Sequence, residues 1–198
     1  MKKILVSQRL DEVAGRGEYR DSTDTRLGQF LWSAGYVPIP LYSSIDDLEV
    51  YISEQNADGI VLSGGNDIGQ APNRDRLETF LLEHSISHKI PIIGICRGMQ
   101  MINHVCSGSL ITVSGHVREY HTLEGEPPFK GRTVNSYHGY GIVESSLGNN
   151  LKPTGYASDN VIEAFHHTTN PWLGIMWHPE RENQFFKEDI DLFQEFFK

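Results

Sequence analysis

The segment from Pro91 to Asn103 constrains this chain more than any other. An apolar run, Ile92-Ile93-Gly94-Ile95, passes straight into Cys96-Arg97-Gly98, and Met99-Gln100-Met101-Ile102 follows with helical composition. A buried strand that turns directly into a helix must bring two backbones very close. Glycines two places on either side of the turn's middle residue permit that approach, and they present the middle residue in a strained, outward conformation. Such a turn belongs to parallel-sheet architecture. The rest of the first half agrees, with apolar runs at Ile4 to Ser7, Tyr36 to Leu41, Gly59 to Leu62 and Ile90 to Ile95 read as strands. Between them, Asp24 to Gly35, Asp46 to Gln55 and Arg76 to Ser87 are expected as helices, and Arg97 to Val105 follows the turn as another.

Beyond about Leu110 the pattern changes to short β-like runs separated by Gly, Pro, Asn and His as far as Trp177. Antiparallel strands or hairpins are expected there. A final helix is expected from Gln184 to Phe197, with Phe185, Phe186, Ile190, Phe193 and Phe197 facing inward. The expectation is an α/β fold: an open, mostly parallel sheet flanked by helices, with antiparallel additions in the C-terminal half. With no internal repeat and no linker, one domain spans residues 1–198.

The middle of the turn is chemically pointed. Cys96 stands at a helix N-terminus, where unpaired N–H groups and the helix dipole favour a thiolate, and the Arg97 N–H is placed to hold a developing oxyanion. A cysteine alone is more often a buried small residue. A proton acceptor with an orienting acid strengthens the chemical reading. Met176-Trp177-His178-Pro179-Glu180 reads as a strand end that carries His178 and Glu180 at i and i+2 on one side, although such a tripeptide alone is usually only a turn. The third strand ends in Ser63-Gly64-Gly65, and loops at the carboxyl ends of parallel strands share one crevice. Gly65 N–H is therefore the candidate second oxyanion donor, set against the plain alternative of a glycine loop.

Charge and composition exclude several roles. Lys and Arg total 17 against 26 Asp and Glu, a net charge of −9, which argues against coating a nucleic acid polymer or an anionic membrane. The N-terminus MKKILVSQRL lacks a secretory apolar core, and two cysteines make no disulfide framework, so a cytoplasmic address is expected. No cofactor is implied. The nine histidines raise the question of a metal, above all His116 with His121 and His166 with His167. Neither pair comes with a thiolate or carboxylate in a zinc-like spacing, so they are read as loop histidines, with no metal site. Cys106 and the tryptophans Trp32, Trp172 and Trp177 are read as packing residues.

Taken together, these segments resemble the class I glutamine amidotransferase-like family, a flavodoxin-like fold, and within it the γ-glutamyl hydrolase branch. The likeness runs through Arg20-Asp21, Gly35 to Leu41, Leu62 to Ile68, Arg74-Asp75 with Glu78, Gly94 to Gln100 with Asn103, Val134 to His138, and Trp177 to Glu180. It implies that Cys96 attacks a γ-glutamyl carbonyl, that His178 relays protons and that Glu180 orients His178. It further implies that main-chain donors of Gly65 and Arg97 hold the oxyanion, and that water releases glutamate from a thioester. The glutamyl head would be held by Gln100 and by the main chain of the segment Asn135, Ser136, Tyr137 and His138, with Gly64 and Asn66 adding contacts.

Four of the ten arginines, Arg9, Arg16, Arg20 and Arg26, fall near the segment after the first strand. They could receive a phosphate-bearing leaving group, with Arg9, Arg16 and Arg20 as the candidate contacts. Interleaved Asp11, Glu12, Glu18, Asp21 and Asp24 leave a solvated mixed-charge loop as the alternative. The small size and the arginine-bearing loop make the chain look most like the members that act on a nucleotide amidate, γ-glutamyl-CDP-amidate, on the way to capsule phosphoramidate. Because one such domain fills the chain, the expected partner is a small γ-glutamyl substrate, with no synthase chain required and a homo-oligomer left open. Two alternatives stand beside this reading: a glutaminase subunit that delivers ammonia to a partner synthase, and a catalytically silent binding relative.

Overall fold

The computed structural model describes residues 1–198. Its elements in chain order are β1 (Lys2–Val6), β2 (Arg9–Val13), β3 (Glu18–Ser22), α1 (Thr25–Ser33), β4 (Tyr36–Pro40), α2 (Leu48–Ser53), β5 (Gly59–Leu62), α3 (Pro72–His88), β6 (Ile92–Ile95) and α4 (Arg97–Val105). The second half adds β7 (Ile111–Thr112), β8 (Val117–Thr122), β9 (Glu124–Gly125), β10 (Thr133–Tyr137), β11 (Tyr140–Gly141), β12 (Leu151–Tyr156), β13 (Ile162–His167), β14 (Trp172–Ile175) and α5 (Lys187–Phe196).

Eight strands form the main sheet in the order β4-β1-β5-β6-β14-β13-β12-β9. The first five are parallel to one another, and β13, β12 and β9 add antiparallel to their edge. This is the expected α/β architecture. β14 is the exception within the second half, since it pairs parallel to β6 and antiparallel to β13. The fully buried runs of β5, β6 and β14 have no polar face because helices or neighbouring segments cover both sides. In a doubly wound sheet of this order, the crevice for ligands lies outside the carboxyl ends of the strands where the winding reverses. β1, β5 and β6 deliver Ser7, Ser63 to Gly65 and Cys96 to that edge.

The helices follow local rules. Asp24 caps α1 by accepting from Arg26 N at 2.9 Å, which contributes about 1 kcal/mol. The α1 face of Leu27, Phe30 and Leu31 is buried, and Phe30 meets Phe193 of α5 edge-to-face with ring centroids 4.8 Å apart. α3 begins at Pro72, a turn before the expected Arg76, because proline suits the first helical position, where no N–H is needed.

Three expectations are corrected. The segment after β1 is a hairpin, with β2 and β3 paired from Arg9↔Ser22 to Val13↔Glu18. Phe186 caps α5 at 42% exposure instead of facing the core, and Trp32 is 60% exposed on α1, unlike the buried Trp172 and Trp177. Cys106, half-buried at the end of α4, packs against the core as expected, and burial pushes its thiol up to about 11. No helix is long and apolar enough to cross a membrane.

Candidate active site

Cys96 joins β6 to α4 with φ 51° and ψ −104°, a backbone conformation that costs a non-glycine residue roughly 1–3 kcal/mol. The strain is held in place from both sides. Cys96 N donates to Ile175 O of β14 at 2.8 Å, and Gln100 N returns to Cys96 O at 3.0 Å. A Cβ on Gly94 would lie 2.5 Å from the Gly98 carbonyl carbon, and one on Gly98 would strike the Leu62 carbonyl, so both glycines are sterically required by the packing of α4 onto β5 and β6. The first turn of α4 has N–H groups with no intrahelical acceptor, Arg97 N among them.

His178 arrives from β14 through a different device. Trp177 anchors the chain in the core, its indole N–H donating to Asp189 Oδ1 at 3.0 Å. Asn135 then clamps the His178 main chain, accepting from His178 N at 2.9 Å and donating to His178 O at 2.8 Å. Pro179 to Arg181 form a 3₁₀ turn that swings Glu180 under the imidazole, with Nδ1 and Oε1 2.6 Å apart. The expected extended strand end is therefore replaced by a tight turn, which brings the carboxylate to the same nitrogen. Arg26 fixes the turn by donating to Glu180 O at 2.8 Å and to Glu182 O. With Nδ1 committed to Glu180, Nε2 is left for Cys96. Burial works against the His178 imidazolium, but the charges and hydrogen bonds of Glu180 and Cys96 outweigh it and hold the pKa at about 9.

The third wall is Gly64 and Gly65. A Cβ on Gly64 would lie 2.7 Å from His178 Cε1, so only glycine admits the imidazole there, and Gly65 takes φ +118° with the Arg9 stem packed against it. Behind this loop lies a buried charge network. Glu78 accepts from Arg74 Nε at 2.8 Å and from Ser7 Oγ at 2.7 Å, and it pairs with Arg97. Arg97 also pairs with Asp75 and donates Nε to Asn66 O at 3.1 Å, while Arg74 donates to Ser63 O at 2.6 Å. Burial lowers both guanidinium pKa values, yet both groups keep carboxylate partners. The network ties the residue after Cys96 to the loop carrying Gly65, which are the two sources of oxyanion donors expected above.

A cavity of about 300 Å³ opens beside these groups, lined among others by Arg9, Gly64, Gly65, His178, Glu180 and Arg181. Of the candidate leaving-group residues, Arg9 lines it. Arg16 sits in the hairpin turn, and Arg20 pairs with Glu18 on β3 at 2.7 Å, neither of them in its wall. Arg181, which stacks 4.7 Å from the Tyr137 ring centroid, lines it without having been singled out by sequence.

The expected glutamyl-binding residues are distributed unevenly. Gln100 is buried and donates to Tyr140 O at 2.9 Å, and Tyr137 lies edge-on to His178 with centroids 6.0 Å apart. Asn66 is spent on the hairpin, its amide exchanging two bonds with the Leu10 main chain at 2.8 and 2.9 Å. The Asn135 side-chain amide is engaged by the His178 main chain, and Ser136 Oγ donates to His116 O at 2.8 Å, which leaves the expected main-chain contacts of this segment untouched. His138 turns its Nδ1 to Tyr140 O at 2.9 Å.

Comparison with known proteins fits this geometry. The family model described as glutamine amidotransferase class-I matches residues 22–198. The γ-glutamyl-CDP-amidate hydrolase of Campylobacter jejuni is 36% identical over 171 residues, covering 81% of this chain and 82% of that protein. A glutamine-hydrolyzing GMP synthase of Streptococcus pyogenes is 33% identical over 150 residues, 70% of this chain but only 28% of the synthase. A solved structure from Thermoplasma acidophilum shares the fold with TM-score 0.75 at 21% identity, covering all of this chain and 92% of its own. The chain belongs to the class I glutamine amidotransferase family, whose members are cysteine amidohydrolases acting on glutamine or γ-glutamyl amides.

Proposed function

We propose that this chain hydrolyses a γ-glutamyl amide whose leaving nitrogen carries a nucleotide, with γ-glutamyl-CDP-amidate as the substrate. The observation that carries the reading is the 36% identity to the Campylobacter jejuni hydrolase across most of both chains. The cavity beside His178 supports it, because Arg9 and Arg181 are among its lining residues, beside Asp11 and Asp24, and guanidinium groups are suited to pair with a diphosphate on the leaving side.

In this mechanism the Cys96 proton resides on His178 Nε2, and Cys96 attacks the γ-carbonyl carbon as the thiolate of that ion pair. The oxyanion is met by the Gly65 and Arg97 main-chain N–H groups, worth about 2.7–4 kcal/mol per donor in comparable sites. His178, held protonated by Glu180, delivers the proton to the leaving nitrogen as the C–N bond breaks, and the glutamyl group remains on sulfur as a thioester. Water then attacks that carbonyl, His178 takes its proton, and L-glutamate leaves with the ion pair restored. The reaction needs no metal or cofactor in these steps and no partner synthase chain.

Likeness to the amidotransferase part of GMP synthase favours a second reading, in which the chain is a glutaminase that passes ammonia to a partner. A panel of γ-glutamyl amides assayed for released glutamate separates the two. Glutamine, γ-glutamyl-aminobutyrate and γ-glutamyl-CDP-amidate are compared, with Cys96→Ala as control. The nucleotide-linked amide should turn over fastest, and Cys96→Ala should lose at least about 10⁴-fold while keeping its fold. Faster release from γ-glutamyl-aminobutyrate, or glutaminase activity that appears only with a partner protein, would overturn the proposal.

A further inference from the structure

Away from the nucleophile, three segments bring acceptor atoms together in a buried place. His116 precedes β8, His138 follows β10, and Glu163 lies on β13, all three buried. His116 Nδ1 lies 3.4 Å and His138 Nε2 3.3 Å from the same atom, Glu163 Oε1, and the three donor atoms lie within 4.8 Å of one another. None of these atoms, nor Glu163 Oε2, has a hydrogen-bond partner. Buried polar atoms without partners are uncommon, and a converging group of them asks for an explanation.

The other nitrogen of each ring sharpens the point. His116 Nε2 faces Asp159 Oδ2 at 2.9 Å and His138 Nδ1 faces Tyr140 O at 2.9 Å. Both partners are acceptors, so each of these nitrogens carries the N–H. In the neutral rings the inner nitrogens then present lone pairs toward a carboxylate oxygen, an arrangement of three acceptors with no donor. A proton on one ring would satisfy one contact and leave the second lone pair facing the same oxygen, and protons on both rings would set two imidazolium charges against the single buried Glu163 carboxylate. A cation between them satisfies all three.

Two of the three separations are those of such a cation. A tetrahedral ion with bonds of about 2.0–2.1 Å holds its donor atoms about 3.3 Å apart, which is the separation found for both histidine–carboxylate pairs. The outer hydrogen bonds to a carboxylate and a main-chain carbonyl are the partners that orient metal-bound imidazoles. His121 lies close by, with its ring centroid 4.4 Å from that of His116 and a buried Nε2 that has no partner. Two imidazoles and a carboxylate suit a first-row divalent ion. We propose that His116, His138 and Glu163 bind a divalent transition-metal ion of the zinc class, with a structural role. The ion would staple the β8–β10 hairpin, which carries Asn135 and hence the clamp on His178, to β13 of the main sheet. The expectation that the histidines lack a carboxylate holds only along the chain; in space Glu163 supplies it.

The test uses the Cys96→Ala protein, so that the thiol beside His178 cannot hold the ion. Chelator-stripped protein is titrated with zinc against a chromophoric competitor, and bound metal is counted by elemental analysis. The expected result is uptake of one ion per chain with a raised melting temperature, and cobalt should give the intense visible bands of a tetrahedral site. Glu163→Gln should abolish uptake. Asp159→Asn, at a half-exposed position that leaves the core intact, should weaken it about 10–100-fold. Absence of stoichiometric uptake, uptake unchanged in Glu163→Gln, or an unchanged affinity in Asp159→Asn would each overturn the assignment. None of these readouts depends on the substrate, so the outcome is independent of the proposed hydrolase activity.

Discussion

Two buried charge clusters stand behind the loops that flank Cys96, and they are built on opposite principles. On the parallel side, Arg74 and Arg97 meet Glu78 and Asp75, so that cations and anions alternate and the donors find acceptors on Ser63 and Asn66. On the antiparallel side, His116, His138 and Glu163 converge as acceptors, with their N–H groups turned outward. The first cluster is complete with protein atoms alone, whereas the second is completed by a cation. Both hold a loop that shapes the site: Ser63 to Asn66 in one case, Asn135 to His138 in the other. Burial thus fixes the two walls by different chemistry, and the two walls should respond differently to the same kind of substitution.

Removing one carboxylate from each cluster gives the largest effect. Glu78→Gln strips the buried acid from between two guanidinium groups and should cost about 3–5 kcal/mol of stability, read as a fall in the urea midpoint. Glu163→Gln in metal-stripped protein should cost far less, because its amide N–H can donate to one of the lone pairs that the carboxylate opposed. Equal losses in the two variants would break the contrast.

The His178–Glu180 pair sits between the two clusters and is sensitive to pH. His178 titrates at about 9 in the folded protein, against about 6.5 for an unperturbed histidine. A base with a raised folded pKa contributes stability that is fully present below about pH 6.5 and is lost as the pH rises through about 9. Unfolding free energy measured across that interval should therefore decline in the wild type. The decline should be shallower in Glu180→Gln, where the carboxylate that holds the imidazolium is gone. A flat wild-type profile would show that Glu180 and Cys96 do not hold the proton as their geometry implies.

The same contrast explains which parts of the molecule could be read along the chain. β5 and α4 lie where the sequence places them, Gly59–Leu62 and Arg97–Val105, because a strand buried on both faces is a continuous apolar run and the elbow glycines mark where it ends. The guanidinium network depends on Arg74 and Glu78 one helical turn apart, a spacing visible in sequence. The imidazole cluster depends on the pairing of β8 with β10 and on where β13 lies, and no local pattern encodes either. The β2–β3 hairpin escaped because its strands are largely exposed and lack apolar alternation, although Gly15 and Gly17, at φ 74° and 61°, marked its turn. Trp32 and Phe186 were misplaced for the opposite reason, since an apolar side chain on a helix edge has no obligation to be buried.

The smallest effect comes from the arginine that is exposed. Arg9 pairs with Asp11 at 2.7 Å, with half of its side chain in solvent, so the pair itself is worth about 0–1 kcal/mol and Arg9→Ala should leave stability almost unchanged. Arg9 nevertheless lines the cavity beside His178. If its guanidinium meets a diphosphate on the leaving side, Arg9→Ala should lower kcat/KM for γ-glutamyl-CDP-amidate about tenfold, or roughly 1.4 kcal/mol, and leave kcat/KM for glutamine near wild type. The two substrates share the glutamyl half and differ only beyond the scissile nitrogen. Because the Arg9 stem also packs against Gly65, an equal loss on both substrates would show that Arg9 acts by supporting the Gly65 loop, which would move it to the side of the buried guanidinium groups behind that loop.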